Sequence, residues 1–210
     1  MAKIYITRHG ETEWNKAKKF QGHLDSKLTD KGRTQAMWLR DHLVDTHFDA
    51  VYASPSSRAY DTAVIVTGDR DLPVQKVDKL MEINMGIMEA KTYEEVETNH
   101  NKLFHDFWKN PQTYEPEGGE TYHELTERAV ASIEEIAAKH RGQNVLVVTH
   151  GGTLKAIITH YENIPLKDLW GPPFMYNTCL NVLNYESDKG AMEVMGNIDH
   201  YPEAEKPHQW

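Results

Sequence analysis

The sequence predicts an α/β fold, a three-layer sandwich with a mostly parallel, mixed central sheet flanked by helices. Short β-branched runs bounded by turn residues alternate with segments of helical periodicity, which is typical of parallel strands covered on both faces. The chain of 210 residues is 39% hydrophobic, which is enough to bury one substantial core. Since it contains no linker-like or repeated segment, we expect residues 1–210 to form a single domain.

Three apolar runs have the composition of parallel strands, and each leads into polar residues that begin a helix. These runs are Ile4–Thr7, Asp49–Ala53 and Asn144–Thr149. Two later runs, about Thr178–Tyr185 and Met192–Gly196, predict a closing hairpin that turns at Ser187–Gly190. The polar tail from Asp199 onward is expected to lie at the periphery of the fold.

Three helices are predicted from apolar residues at helical spacing and from residues typical of helix starts. Thr29 begins the first helix, and the pair Ser54–Pro55 begins the second. Thr121–Glu124 fits a capping box, which begins a long third helix. Gly142 ends that helix before the next strand.

Residues 91–120 interrupt the alternation of strands and helices. They carry five aromatic residues at irregular spacing, and two prolines and two glycines lie in the second half of the segment. This composition predicts a short helical insertion with a loop. Two interpretations are open, a helical pair that closes one edge of the core or a cover over a functional site. We adopt the second.

Composition and charge exclude several classes of function. The net charge of −9 disfavours binding to nucleic acid or to an anionic membrane, because such binding depends on basic patches. No stretch approaches the roughly 20 apolar residues that a membrane span requires. Cys179 is the only cysteine, which excludes an internal disulfide and any site with several thiolate ligands. The N-terminal segment lacks the apolar region of a signal peptide, so we expect a cytoplasmic protein.

Polar residues collect where the predicted parallel strands give way to helices. Arg8, His9, Arg58 and His150 lie at three such junctions, and ligands bind beyond the carboxyl ends of parallel strands. Two guanidiniums offer paired donors to a tetrahedral oxyanion at any working pH. The backbone amide of Gly151, with no side chain in the way, adds a further donor. The pattern predicts a phosphate site that binds a small phosphorylated substrate.

A metal site is an alternative use of the histidines. His42 and His47 are five residues apart, as are His100 and His105, so neither pair shares a helix face. The two arginines beside the junction histidines would also repel a divalent cation. We therefore predict neither a metal nor another cofactor.

The same residues suit phosphoryl transfer to a histidine. The neutral imidazole of His9 is the expected nucleophile, since the cations of Arg8 and Arg58 favour the uncharged ring and stabilise the transition state. A purely structural role for His9 is the alternative. The leaving oxygen needs a proton, and we assign Glu82 as its donor because its apolar neighbours favour the protonated carboxyl. The spacing of residues alone does not exclude other acidic side chains as the proton donor.

The segment Thr7–Asn15 resembles the signature of the histidine phosphatase superfamily, which includes the cofactor-dependent phosphoglycerate mutases. The resemblance covers about residues 3–160. Further blocks similar to the family are Phe20–Thr29, Ser54–Ala63, Leu80–Glu89, Gly118–Thr121 and Val148–Gly152. Met88 stands where an aromatic residue is frequent in the family, and Ala90 where glycine is frequent. We expect these departures to reshape the wall beside Glu82.

The resemblance implies a role for each matching residue. His9 becomes phosphorylated, the side chains of Arg8, Arg58 and His150 bind the phosphoryl group, and Glu82 donates the proton. Asn15 and Gln21 match positions that often contact phosphate or substrate in the family, although hydrogen bonds that stabilise a loop are the alternative for both.

The family contains phosphatases and mutases, and the segment after the predicted acid loop separates them. Mutases of the family are typically longer and carry extra basic residues there. This chain has no arginine between Arg70 and Arg128, and residues 91–118 carry six acids against three lysines, a net charge of −3. We therefore predict metal-independent hydrolysis of small phosphomonoesters with apolar or sugar-like leaving groups. A phosphoglycerate mutase and a weakly active phosphate-binding regulatory module are the alternatives, and the oligomeric state is left open.

Overall fold

The fold is built on one six-stranded sheet, in a computed structural model that describes residues 1–206. The strands are β1 (Ala2–Arg8), β2 (Ala50–Ala53), β3 (Val74–Lys76), β4 (Asn144–Thr149), β5 (Leu180–Glu186) and β6 (Lys189–Asn197). Their order is β3-β2-β4-β1-β5-β6, with β1 to β4 parallel and β5 and β6 antiparallel to their neighbours. The predicted mostly parallel, mixed sheet is confirmed. The end of the predicted peripheral tail, residues 207–210, lies outside the described residues.

Helices cover both faces of the sheet, as predicted. They are α1 (Glu13–Lys16), α2 (Asp30–His42), α3 (Ser57–Thr67), α4 (Tyr93–Asn99), α5 (Asn101–Lys109), α6 (Tyr122–Lys139) and α7 (Gly151–Tyr161). Leu39 of α2 and Val66 of α3 are fully buried on one face, and Ile133 of α6 and Ile157 of α7 on the other. No helix within residues 1–206 is long and apolar enough to cross a membrane.

The continuous apolar run of β4 follows from these two covered faces. Val147 belongs to the core under α6 and α7, and Val148 belongs to the core under α2 and α3. Successive side chains of a strand point to opposite faces, so a central strand needs apolar residues at every position. Each such buried valine contributes about 2 kcal/mol to folding.

The structure confirms two predicted helix starts and corrects the third. The Thr29 hydroxyl accepts from the backbone N–H of Gly32 at 2.9 Å, and Thr121 and Glu124 form the expected capping box. Ser54 was predicted to begin α3, which is wrong, because the helix begins at Ser57. Ser54 still extends the sheet through a backbone bond to the carbonyl of Val148, and its hydroxyl is used elsewhere.

The closing hairpin is present, with a tighter turn than predicted. Ser187 and Asp188 both have positive φ, 52° and 59°, and they alone connect β5 to β6. Such a two-residue turn matches the twist of the flanking strands. Lys189 and Gly190 therefore belong to β6 rather than to the turn, and they pair with the end of β5.

Residues 91–120 contain α4, α5, a short 3₁₀ turn at Pro111–Thr113 and the loop that leads to α6. Phe107 is fully buried in an aromatic cluster, where it packs against Trp108, Tyr122 and Trp170. The segment therefore closes an edge of the core and also faces the cavity described below. Its role as a cover, and the treatment of the chain as a single domain, stay predictions.

Candidate active site

A cavity of about 410 Å³ lies beyond the carboxyl ends of the parallel strands. Seven of the eight residues that the sequence predicts for the site line it. They are Arg8, His9, Asn15, Gln21, Arg58, Glu82 and Gly151. The eighth, His150, is completely buried, and its ring centroid lies 5.2 Å from that of His9. The fold thus brings together side chains from four distant parts of the sequence.

His9 directly follows β1, and one of its ring nitrogens has a free lone pair. Its Nδ1 lies 2.7 Å from the carbonyl oxygen of Gly10. A carbonyl can only accept, so Nδ1 carries the proton and Nε2 keeps its lone pair. Burial, together with the charges of Arg58 and Arg8, holds the pKa of His9 well below its usual value of 6.5. The ring is therefore neutral at pH 7.

His150 is the residue immediately before α7, at the end of β4. Its Nε2 lies 2.7 Å from the hydroxyl of Ser54, while its Nδ1 is buried. Burial and the nearby Arg58 lower the pKa of His150 well below 6.5, so this ring is also neutral. Sequence analysis assigned Ser54 to a helix start and missed its contact with the site.

Arg58 lies in the first turn of α3 with only 1% of its surface exposed. Its Nη1 donates to the Leu24 carbonyl at 2.8 Å and to the Asp25 carboxylate at 3.0 Å. Its Nη2 donates to the Gly22 carbonyl at 2.8 Å. These three bonds fix the plane of the guanidinium and use both of its terminal nitrogens.

Arg8, at the end of β1, approaches the first turn of α7. Its Nη1 donates to the carbonyl of Met175 at 2.7 Å. A Cβ atom on Gly151 would stand 3.5 Å from the Nε of Arg8, in van der Waals contact with the guanidinium. The start of α7 and the Arg8 side chain therefore share one wall of the cavity.

Three buried nitrogens in this group have no hydrogen-bond partner within residues 1–206. They are Nε of Arg8, Nε of Arg58 and Nδ1 of His150. An unsatisfied buried polar group costs about 1–3 kcal/mol, which makes such a set unusual in a folded protein. A tetrahedral oxyanion can accept hydrogen bonds from several donors at once, here two guanidiniums and a neutral imidazole whose Nε2 accepts from Ser54. The unused donors thus fit a phosphate, whereas a metal cation would be repelled by both arginines.

Glu82 reaches the cavity in surroundings that differ from the prediction. The sequence suggested apolar neighbours, but the carboxylate accepts from the backbone N–H groups of Ile83, Gly152 and Thr153, each at 3.0 Å. The Thr153 hydroxyl lies 3.2 Å from Oε1 of Glu82 and 2.8 Å from the Met81 carbonyl oxygen, which is the closer acceptor for its single proton. Because the amides of α7 are 70 residues away in sequence, no local pattern could reveal them. A Cβ atom on Gly152 would stand 2.7 Å from Oε1 of Glu82, so this approach requires glycine.

Arg128 of α6 fixes the backbone around Glu82. Its Nη1 donates to the Met81 carbonyl and its Nη2 to the Glu82 carbonyl, at 2.8 and 2.9 Å. The same guanidinium forms an ion pair with Glu120. Sequence analysis missed Arg128, although Glu120 belongs to one of the blocks that resemble the family.

Glu89 links two loops. One carries the carbonyl oxygens that accept from Arg58, and the other carries Glu82, the predicted proton donor. Its carboxylate accepts from the backbone N–H groups of His23 at 2.8 Å and Leu24 at 3.2 Å. It also accepts from that of Met85 at 3.0 Å. One side chain therefore fixes the spacing between the two loops.

Asn15 and Gln21 line the cavity and also stabilise a loop. The Asn15 side-chain oxygen accepts from the backbone N–H of Thr12 at 3.1 Å, and that of Gln21 accepts from the hydroxyls of Thr12 and Ser26 at 3.1 Å. These bonds use the amide oxygens of both residues. Their NH₂ groups are the donors that a ligand would meet.

The two departures from the family pattern have different structural meanings. Met88 is fully buried in the aromatic cluster and is not among the residues that line the cavity, so the expectation that it reshapes the wall is wrong. Ala90 has a positive φ of 64°, a backbone conformation that glycine adopts without strain. This conformation explains why glycine is frequent at that position.

Metal ligands are not grouped in the part of the chain that the structure describes. Residues 1–206 contain no group of three or more histidine, cysteine, aspartate or glutamate side chains that could hold a metal ion.

Residues 4–198 match the family "Histidine phosphatase superfamily (branch 1)". The chain belongs to this superfamily. The resemblance noted from Thr7–Asn15 is therefore confirmed. Within the histidine phosphatase superfamily, the chain is similar to YhfR of Bacillus stearothermophilus, a solved structure with 38% sequence identity and a TM-score of 0.93. That match covers 95% of this chain and 99% of the other.

Two relatives from Arabidopsis thaliana resemble this superfamily member over nearly its whole length. "Phosphoglycerate mutase-like protein 4" is 32% identical over 206 residues, covering 96% of this chain and 88% of the relative. "Metal-independent phosphoserine phosphatase" is 32% identical over 203 residues, covering 95% of this chain and 83% of the relative.

Proposed function

We propose that this histidine phosphatase superfamily member hydrolyses small phosphomonoesters through a phosphohistidine intermediate on His9, without a metal ion. The observation that carries the proposal is the set of unused buried donors on Arg8, Arg58 and His150, beside a neutral His9. The metal-independent phosphoserine phosphatase among its relatives supports the same chemistry.

In the first half-reaction, Nε2 of His9 attacks the phosphorus of the ester. The N–P bond forms while the bond between phosphorus and the leaving oxygen breaks, and Glu82 gives that oxygen a proton. Arg8, Arg58 and His150 bind the three remaining phosphoryl oxygens. Fixed donors stabilise the charge on these oxygens in the loose transition state, which is the main protein contribution to such transfers.

In the second half-reaction, water attacks the phosphorus of the phosphohistidine. Glu82, now a carboxylate, takes a proton from this water as the O–P bond forms and the N–P bond breaks. Inorganic phosphate leaves, and His9 returns to its neutral form with its lone pair on Nε2. The amides of Gly152 and Thr153 keep the carboxyl group of Glu82 beside the first turn of α7 in both steps, first as the acid and then as the carboxylate.

The leaving group would occupy the part of the cavity that is lined by aromatic side chains. Phe20, Tyr93, Phe107, Trp108 and Trp170 line this part. Aromatic rings pack well against the carbon skeleton of a small molecule. The proposal therefore favours organic phosphomonoesters over pyrophosphate or nucleic acid, whose leaving groups are highly charged.

Turnover of a panel of phosphomonoesters by the purified protein, with and without a chelator, tests the proposal. Hydrolysis should survive the chelator, because the arginines supply the positive charge. His9→Ala should lower kcat by at least about 10⁴-fold and abolish labelling of the protein by ³²P-substrate. Lys139→Met, at the exposed end of α6, serves as the control. The proposal would be contradicted if the wild-type protein turned over the ester without becoming labelled by the ³²P-substrate. Loss of activity in the presence of the chelator would contradict it as well.

A phosphoglycerate mutase is the second candidate, which the Arabidopsis mutase-like relative keeps open. Incubation with 3-phosphoglycerate, with and without a bisphosphoglycerate primer, separates the two activities. We expect phosphate release to exceed isomerisation under both conditions. Primer-dependent formation of the 2-isomer faster than phosphate release would identify a mutase, and binding without turnover of any ester would identify a regulatory module.

Cellular location is part of the proposal. We expect the protein in the cytoplasm, where phosphorylated metabolites are abundant, and fractionation of cells that express the full chain tests this location.

A further inference from the structure

Lys155 is a buried cation that the proposed chemistry does not use. It lies in α7 with 3% of its surface exposed. Its Nζ donates to the carbonyl oxygens of Gly171 at 2.5 Å and Pro173 at 3.2 Å. Burial lowers the pKa of Lys155 to about 8, so the side chain is mainly charged at pH 7.

Helix geometry places Lys155 one turn beyond the proposed phosphate site. Gly151, which contacts Arg8, precedes Lys155 by four positions, and residues i and i+4 lie on the same helix face, about 6 Å apart along the axis. Both residues line the cavity, as do Trp170 and Met175, which flank the Gly171–Pro173 segment that Lys155 contacts. Lys155 therefore belongs to the leaving-group side of the cavity.

The positive charge of Lys155 is not balanced by the described part of the protein. No carboxylate of residues 1–206 forms an ion pair with it. Cys179 is the one titratable group of the described residues that acts electrostatically on Lys155, and burial raises the pKa of that thiol to about 11, which keeps it uncharged at pH 7. An ammonium has three N–H donors, and the two carbonyls use two of them. A buried, unpaired charge is costly, so an anion that approaches it is stabilised.

We propose that Lys155 is a specificity-determining residue that binds an anionic group, such as a carboxylate, on the leaving group of the substrate. This inference rests on the proposed phosphatase function and narrows it to phosphomonoesters with a second negative charge. It departs from the apolar or sugar-like leaving groups that the acidic segment 91–118 predicts, because the unpaired ammonium of Lys155 lies at the wall of the cavity. The carbon skeleton between the two charged groups packs against the aromatic wall. The phosphoryl group meets Arg8 and Arg58 at one end, and the second anion meets Lys155 at the other.

A matched pair of esters tests the charge preference directly. 3-Phosphoglycerate carries a carboxylate where glycerol 3-phosphate carries a neutral hydroxymethyl group, and the two are otherwise alike. We expect the wild-type protein to hydrolyse 3-phosphoglycerate with the higher kcat/KM. Lys155→Met should lower kcat/KM for 3-phosphoglycerate by about tenfold or more, through KM, as expected for a lost ion pair. The loss for glycerol 3-phosphate should stay below about threefold.

Further variants separate charge recognition from a purely structural role. Lys155→Gln keeps donors for the two carbonyls without the charge and should behave like Lys155→Met, whereas Lys155→Arg should restore part of the preference. Lys139→Met controls for removal of an exposed lysine.

Equal losses on both esters, or a wild-type protein without any preference for 3-phosphoglycerate, would overturn the inference and leave Lys155 as an anchor of the segment that contains Gly171. If Lys155→Met does not fold, Lys155→Gln and the wild-type preference decide the question. A wild-type protein that hydrolyses neither ester nor any other phosphomonoester would instead contradict the proposed function.

Discussion

His9 and Lys155 line the same cavity, and burial lowers the pKa of both side chains. At pH 7, however, the two side chains differ in charge. Burial and two arginines keep the His9 ring neutral, which is the form that a nucleophile requires. Lys155 starts from a much higher pKa, so the fall to about 8 still leaves it charged at pH 7. One cavity thereby holds an uncharged ring nitrogen, to which we assign the chemistry, and a charged ammonium, to which we assign recognition of the leaving group.

Substitution of Glu82 tests its assignment as the proton donor. Glu82→Gln should lower kcat/KM for an alkyl ester such as glycerol 3-phosphate by about 10²-fold or more, because a poor leaving group needs the proton. The comparison uses kcat/KM because this constant reports the first half-reaction and leaves out the attack of water, in which Glu82 serves both esters alike. The loss for 4-nitrophenyl phosphate should be less than about tenfold, because its leaving group departs without a proton. Steady-state kinetics with the two esters measure both effects. Equal losses would assign the acid to another residue.

At the scale of elements, the loops rather than the strands set the spacing of the site. Glu89 connects the His23–Leu24 backbone to Met85, and Arg58 donates to the Leu24 carbonyl on the same loop. The Arg58 guanidinium is thus positioned by a carboxylate that does not contact it. We regard Glu89 as a positioning residue for the proposed phosphate site.

Substitution of Glu89 should weaken binding of a phosphate-like anion. Glu89→Gln introduces an NH₂ group opposite backbone N–H donors, so inhibition by orthovanadate should weaken by about tenfold, which corresponds to about 1.4 kcal/mol. Glu124→Gln is a matched control, because Glu124 also accepts a backbone N–H bond but lies at the exposed start of α6.

A double-mutant cycle distinguishes positioning from general destabilisation. In an Arg58→Ala background, Glu89→Gln should have little further effect on the inhibition constant, because the group it positions is gone. Additive losses in the two backgrounds would mean that Glu89 acts independently of Arg58.

The strand-to-helix junctions could be predicted from the sequence, because local patterns define them. A β-branched run followed by Arg8 and His9, or by His150 and Gly151, indicates both the element boundary and the chemistry. The bond between Ser54 and His150 was not predictable in this way, since it joins residues 96 apart. Lys155 was also missed, because its helical spacing does not show that the carbonyls of Gly171 and Pro173 face it.

At the scale of the whole molecule, three histidines make stability depend on pH: His9 and His150, which are buried, and His200, which is half-buried. Burial lowers the pKa of His9 and His150 well below 6.5, and burial together with His42 lowers that of His200 to about 4. In the unfolded chain these rings take up protons near pH 6.5. The unfolded state therefore binds more protons than the folded state at mildly acidic pH.

The free energy of unfolding should therefore be constant at neutral pH and should fall as the pH drops from about 6.5 toward 4. Urea denaturation at a series of pH values measures this fall. His200→Gln, which keeps a partner for the Thr178 hydroxyl, should make the fall less steep because one titrating ring is gone. A stability profile that stays flat from pH 7 to pH 4 would contradict this prediction.

The buried donors on Arg8, Arg58 and His150 are in place before any ester arrives, and in the proposed function they bind only its phosphoryl end. The same cradle must therefore hold the inorganic phosphate that each turnover releases. Free phosphate competes with the ester, and catalysis slows as phosphate accumulates in the surrounding solution. The preorganised cradle thus makes the reaction subject to feedback from its own product without a separate regulatory site.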